Sequence, residues 1–110
     1  MVIGILRVVL AIGGAHSLKE KRAVLRKVLD RARHRFNAAV AEVGFQDRHQ
    51  RAEIGVSVVS ADQRHANQMV DAIACFFEEQ VDVITRKTEF VVVGGDVVDD
   101  DFCTSWSRFE

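Results

Sequence analysis

Hydrophobic and polar positions alternate along three segments of the chain, imperfectly in the first, and this period of two predicts β-strands. A further segment near the end of the domain is interpreted as a fourth strand. The strands are predicted at residues 2–12, 37–45, 51–60 and 81–93. In the first strand the even positions are apolar apart from Gly4, and the odd positions carry one charge, at Arg7. In the third strand the inward positions are Ala52, Ile54, Val56 and Val58, and the outward positions include Arg51, Glu53 and Ser57.

In two segments between these strands, apolar residues recur at helical spacing, which predicts two α-helices. Ser17 and Glu20 form an S-x-x-E capping box, so the first helix begins there and runs to about Arg35. Ser60 and Gln63 form a similar box, and the second helix ends near Glu79. The buried stripes are predicted to contain Leu18, Leu25, Val28, Leu29, Ala32 and Phe36 in the first helix and Ala66, Met69, Val70, Ile73 and Phe77 in the second.

The element order β-α-β-β-α-β predicts a ferredoxin-like α+β fold, with a four-stranded antiparallel sheet and two helices on one face. We expect a single domain over residues 1–93, followed by an acidic, aromatic-containing tail over residues 94–110. The tail is predicted either to be disordered or to fold back on the first helix of its own or a neighbouring subunit, where it would compete with RNA.

One face of the predicted sheet has no helix to cover it. The apolar residues Ile3, Ile5 and Val9 would lie there, which predicts a homodimer through the open sheet face. In the second strand, Ala39, Ala41, Val43 and Phe45 are predicted to share one face, with Glu42 on the other. Cross-strand charge pairs on the open face are expected among Arg7, Glu42, Arg51 and Glu53.

Composition restricts the class of protein. The chain has 110 residues, of which 48% are hydrophobic, and its longest apolar run lacks the basic start of a signal peptide. We therefore expect a cytoplasmic protein without a membrane span. Cys75 and Cys103 have no metal-ligand spacing and are interpreted as free thiols.

Charge is distributed very unevenly along the chain. Residues 1–51 carry 11 Lys and Arg minus 4 Asp and Glu, which leaves +7, whereas residues 52–110 carry 4 minus 12, which leaves −8. Eight of the 15 bases lie in the segment SLKEKRAVLRKVLDRARHRF, residues 17–36. A net charge of −1 therefore hides a strongly basic first helix.

The chain resembles the YlxP-like family of small bacterial proteins. The resemblance lies in SLKEKR (residues 17–22), FNAAVAEVGFQD (36–47) and QRAEIGVSVVS (50–60), together with a polar start of the second helix at Asp62, and it covers roughly the first ninety residues. It implies a ferredoxin-like fold and a cytoplasmic bacterial protein often encoded near translation and ribosome-maturation factors. It implies no biochemical function and no catalytic residue, and the tail departs from the family's usual short ending.

The basic helix is the main candidate for function. A row of cations beside the buried stripe suits phosphate recognition, so we expect a polyanion partner. The resemblance to a family encoded near translation factors implies that this partner is ribosomal RNA or a ribosomal particle. The candidate RNA-binding residues are Lys19, Lys21, Arg22, Arg26 and Arg33, of which Lys21 is placed on the general helix surface and the others along one flank. The outward sheet positions include no aromatic ring, so contact through base stacking is not expected.

Other chemistry has weaker support in the sequence. An adaptor that docks an acidic protein partner remains an alternative, and so does a sensor that binds a small anion at the loop Gly13–Ser17. His16, His34, His49 and His65 show no metal-ligand pattern and are interpreted as surface residues. His16 and Ser17 alone do not define a nucleophile and base, so we expect a non-enzyme without cofactor or metal.

Overall fold

The computed structural model describes residues 1–94, and the prediction of the tail falls outside them from Gly95 onward. The element order is β1 (Val2–Ala11), α1 (Leu18–Arg35), β2 (Ala39–Gly44), β3 (Arg51–Ser60), α2 (Gln63–Gln80) and β4 (Asp82–Val92). These elements form one antiparallel sheet in the order β2-β3-β1-β4. The predicted α+β, ferredoxin-like architecture is thus confirmed.

The core lies between the sheet and the two helices. The even residues of β1 and the inward residues of β3 are buried as their alternation predicted, and the α2 stripe faces them. Helix α2 packs across β1, β3 and β4, and α1 lies over β2 and against α2. This arrangement leaves the opposite sheet face without a helix and places α1 at the β2 side of the molecule.

The start of α2 differs from the prediction. Asp62, and not Ser60, is the N-cap, and its side chain accepts a hydrogen bond from the His65 backbone N–H at 2.8 Å. Ser60 remains in β3, opposite Val2 of β1, so its backbone is committed to the sheet. Its hydroxyl instead accepts a hydrogen bond from the Asp62 backbone N–H at 3.3 Å, which supports the turn into the helix.

Gly4 interrupts the apolar alternation of β1 for a steric reason. A Cβ added to Gly4 would lie 2.9 Å from a methyl group of Val58 and 2.9 Å from a methyl group of Val70. Helix α2 therefore approaches the backbone of β1 more closely at this residue than a side chain would permit.

We expect Gly4→Ala to lower the free energy of unfolding by about 1–3 kcal/mol, because the extra methyl group overpacks the contact with α2. Chemical denaturation followed by circular dichroism measures this loss. Gly13→Ala is a suitable control, since a Cβ at Gly13 meets nothing within 4 Å. Equal stability of the two variants would contradict the close approach.

Candidate nucleic-acid interface

Helix α1 begins at a complete capping arrangement. The Ser17 hydroxyl accepts a hydrogen bond from the Glu20 backbone N–H at 3.1 Å, and the His16 backbone N–H donates to the Glu20 carboxylate at 2.5 Å. The helix ends at Phe36, whose backbone N–H donates to the Ala32 carbonyl. The predicted Ser17–Glu20 cap is therefore confirmed and sets the start of α1, and the buried stripe of α1 determines which way its cations point.

Four cations share one flank of α1, which we call the basic flank: Lys19, Arg22, Arg26 and Arg33. All four residues are exposed. Within residues 1–94, the side chains of Lys19, Arg22 and Arg26 have no hydrogen bond or salt bridge. Their charges are thus available to a ligand from solvent.

Arg33 differs from the other three members because it also has a structural contact. Its Nη2 donates to the Val40 carbonyl of β2 at 2.7 Å, and its Nη1 lies 3.3 Å from a carboxylate oxygen of Asp30. Since β2 is an edge strand, this bond occupies a carbonyl that could otherwise pair with another chain. The Arg33 side chain remains 48% exposed, so the residue can both protect the edge and contribute charge.

The opposite flank of α1 faces α2 and is engaged within the fold. Arg31 donates to the Gln80 side chain at 2.8 Å. The guanidinium of Arg35 lies 5.4 Å from the ring centre of Phe36 and 5.8 Å from that of Phe76. The basic flank is therefore the side of α1 that points away from α2, past the edge of the sheet.

The structure corrects the predicted surface position of Lys21. Lys21 is only 1% exposed, and its ammonium donates to the carbonyls of Phe45 at 2.7 Å and Arg48 at 2.6 Å. The carboxylate of Glu42 lies 2.8 Å from the same nitrogen. Lys21 precedes Leu25 by four residues and Val28 by seven, so it belongs to the buried stripe of α1, and this spacing could have revealed its position.

The structure also reverses the predicted faces of β2. Val40 is buried against the helices and Glu42 turns toward α1, whereas Ala39, Ala41 and Val43 are exposed on the open sheet face. Glu42 therefore does not take part in the charge pairs predicted on that face. Of the four residues expected to form charge pairs there, Arg7 and Glu53 do so, with an N–O distance of 2.6 Å, and Arg51 forms no salt bridge within residues 1–94.

Lys21 fixes the loop between β2 and β3 against the start of α1. Phe45 in this loop has a φ of 57°, a left-handed conformation that is unfavourable for a bulky residue, and its carbonyl is one of the two that Lys21 binds. The same loop contacts the chain before α1, where the Gln50 backbone carbonyl accepts from the Ile12 N–H at 2.9 Å. The loop thus lies beside the start of α1, and within it the guanidinium of Arg48 lies 5.9 Å from the ring centre of Phe45.

Comparisons with known proteins support the fold and the family. Residues 3–90 match the family described as "Protein of unknown function (DUF503)". The chain belongs to the DUF503 family. A curated relative, "Uncharacterized protein YlxP" of Bacillus subtilis (strain 168), is 38% identical over 79 residues, which cover 69% of this chain and 86% of that protein. The predicted resemblance to YlxP-like proteins is thus confirmed.

A solved structure resembles the fold alone. The solution NMR structure of a de novo designed protein with a ferredoxin fold matches with a TM-score of 0.51 and 13% identity. The match covers 91% of this chain and 93% of the designed protein. At this identity the similarity describes the arrangement of strands and helices.

In this DUF503 chain, three residues of the segment SLKEKR stabilise the fold. Ser17 and Glu20 cap α1, and Lys21 is buried under the loop that follows β2. Lys19 and Arg22 are the two positions of the segment whose side chains are free within residues 1–94. The segment therefore combines the start of a helix with the first two cations of the basic flank.

The loop Gly13–Ser17 offers little to a small anion. The Glu20 carboxylate already accepts from the His16 backbone N–H, and the Ser17 hydroxyl already accepts from the Glu20 backbone N–H. An incoming anion would have to displace a carboxylate of the same sign at this helix terminus. The four histidines are all exposed.

Two further observations concern the contacts that this DUF503 chain could make with nucleic-acid bases or with a membrane. Within residues 1–94, the open sheet face presents no aromatic side chain, so it has no platform on which nucleic-acid bases could stack. In the same part of the chain, no helix is both long and apolar enough to cross a membrane.

Proposed function

We propose that the protein is a binding protein without catalytic activity that associates with RNA, namely ribosomal RNA or an assembling ribosomal particle, through the basic flank of α1. The observation that supports this most strongly is the set of three exposed cations on one flank, Lys19, Arg22 and Arg26, that have no partner within residues 1–94. Exposed cations remain hydrated in the unbound protein at little cost in free energy. When they neutralise RNA phosphates, the counterions held by the RNA are released, and this release favours binding.

The charge distribution over residues 1–94 supports the same surface. Residues 1–94 contain 14 Lys and Arg minus 11 Asp and Glu, which leaves +3. Helix α1 holds eight of these bases against two acids, whereas α2 holds one base against three acids. Because both helices lie on the same side of the sheet, the positive potential is concentrated on the flank of α1 that points away from α2.

The geometry favours contacts to phosphate over contacts to bases. A row of Lys and Arg on a rigid helix can follow a folded RNA backbone and contact its phosphates. The open sheet face lacks the rings that base-stacking RNA modules use. The proposed mode is therefore recognition of RNA shape and charge.

We expect Arg22→Gln with Arg26→Gln to weaken binding to a structured ribosomal RNA fragment by about tenfold for each charge, because each charge-assisted hydrogen bond contributes about 1.5 kcal/mol. Fluorescence titration over a range of salt concentrations measures this. The slope of log affinity against log salt should become shallower by roughly two units.

The matched control is Lys27→Gln with Arg64→Gln, which also removes two exposed charges but leaves the basic flank intact. An equal loss of RNA affinity in both double variants would show that only the net charge of the protein matters. It would contradict binding through the basic flank. Stability of all variants should stay within about 0.5 kcal/mol of the wild type, since these are surface substitutions.

Sedimentation with ribosomal particles from a bacterial extract tests the ribosomal part of the proposal. We expect the tagged protein to co-migrate with a particle at low salt and the flank variant to stay at the top of the gradient. An adaptor that docks an acidic protein partner would also lose its contact in the flank variant, but free ribosomal RNA would not displace it. Competition by RNA therefore separates the two functions.

A further inference from the structure

In the middle of the open sheet face, the side chains on the two halves differ in size. Two rows of residues cross it from β2 to β4, and the register of the strands aligns them. Each row has two small residues on β2 and β3 and two larger ones on β1 and β4: Ala39, Ser57, Ile5 and Glu89 in the first, and Ala41, Gly55, Arg7 and Lys87 in the second.

The small half of these rows forms a shallow apolar groove. Its volume is about 410 Å³, and Ala39, Ala41, Gly55 and Ser57 line it together with Ile5. Beyond the groove, Val59, Ile3 and Val91 form a third, apolar row in the same register, in which Val59 is 62% exposed and Val91 is 42% exposed. An apolar surface of this kind on one sheet face indicates an interface.

We infer that a second copy of this chain covers the open face, with the β2–β3 half of each copy packed against the β1–β4 half of the other. A two-fold axis produces this pairing if it runs parallel to the strands, in the plane between the two sheets and midway between β3 and β1. It places Ala41 of one copy opposite Lys87 of the second copy, and Ser57 opposite Ile5 of the second copy. Small residues then meet large ones across the roughly 10 Å that separate stacked sheets.

Charge on this face agrees with a second copy as the occupant. Its three bases are balanced by three acids, so two copies can approach without net repulsion: Arg7, Arg51 and Lys87 against Glu53, Asp82 and Glu89. Arg7 and Glu53 already form a pair within each copy, with an N–O distance of 2.6 Å. By contrast, a nucleic acid would meet no net positive charge here.

The area is sufficient for a stable homodimer. Four strands about 4.8 Å apart, most of them about ten residues long, present roughly 600 Å² per copy, or about 1,200 Å² in total, which reaches the lower end of stable protein interfaces. The contact joins the two sheets back to back, so the basic flanks of both copies stay on the outside of the dimer. The inference does not depend on the proposed RNA binding.

The test compares the oligomeric state of variants of the full chain at tens of micromolar, by analytical ultracentrifugation. We expect the wild type to be a dimer and Ala41→Lys to be a monomer, since the new ammonium would face Lys87 of the second copy. Ala23→Lys makes the same substitution on the exposed side of α1 and should remain a dimer.

A compensating variant tests the orientation of the two copies. Ala41→Lys with Lys87→Glu places opposite charges at the same contact and should restore the dimer. Failure of this rescue would overturn the proposed pairing of the two halves, and a dimeric Ala41→Lys would overturn the use of this face. A monomeric wild type would also overturn the inference and would leave the face to residues 95–110 or to a different protein.

Discussion

Replacement of Lys21 by Met lowers the free energy of unfolding by about 3–5 kcal/mol, the usual loss when one member of a buried ion pair is removed. The methionine fills a similar volume, so the loss does not come from a cavity. It comes from the carboxylate of Glu42, which stays half-buried without its counter-charge, and from the carbonyls of Phe45 and Arg48, which lose their donor.

Chemical denaturation of the variant beside Lys27→Met provides the measurement. Lys27 is exposed on the same helix, so its replacement should change the free energy of unfolding by no more than about 0.5 kcal/mol. A Lys21→Met protein as stable as Lys27→Met would mean that the ammonium is not buried in solution. The double variant with Glu42→Gln should lose less than the sum of the two single losses, with a coupling of about 1–3 kcal/mol.

A measurement of RNA binding by the Lys21→Met variant shows whether Lys21 only stabilises the fold or also affects RNA affinity. Well below its unfolding temperature, Lys21→Met should retain the RNA affinity of the wild type, because its ammonium does not reach solvent. A loss of affinity in the folded variant would mean that the loop between β2 and β3, which Lys21 fixes in place, is itself a major contact. Lys21 is thus expected to stabilise the fold without contributing to RNA affinity.

The architecture was predictable because each element has a regular pattern in the sequence. Residues 51–58 alternate without interruption, and the α2 stripe from Ala66 to Phe77 repeats at helical spacing, so period alone distinguishes strand from helix. The faces of β2 were not predictable in the same way. Ala39 and Ala41 are small enough to be buried or exposed, and a bulge between Glu42 and Gly44 breaks the alternation after them.

The candidate surface could be predicted in part. Helical geometry alone places Lys19, Arg22 and Arg26 on one flank, and the structure agrees. The surface position predicted for Lys21 is wrong, because its spacing to Leu25 places it in the buried stripe despite its charge. The hydrogen bond of Arg33 joins α1 to β2, and the contacts of Lys21 join α1 to the loop after β2, so both depend on how these elements pack together.

Replacement of Phe77 by Ala should lower the free energy of unfolding by about 3–5 kcal/mol, because a large cavity would remain under α2. Phe77 is fully excluded from solvent, and its ring centre lies 5.6 Å from that of Phe76, which in turn lies 5.7 Å from that of Phe36. This aromatic cluster joins α2 to the end of α1. Against a total stability of about 5–15 kcal/mol for a small domain, the loss should be evident in thermal and chemical denaturation.

Phe45→Ala is the control for this loss, since Phe45 is 38% exposed and its replacement should cost clearly less. A similar loss in both variants would contradict the buried position of Phe77. Well below its unfolding temperature, Phe77→Ala should still bind RNA, whereas Arg22→Gln with Arg26→Gln should lose affinity without losing stability. These opposite outcomes would show that the basic flank is a surface for recognition, supported by a core that does not itself contact the ligand.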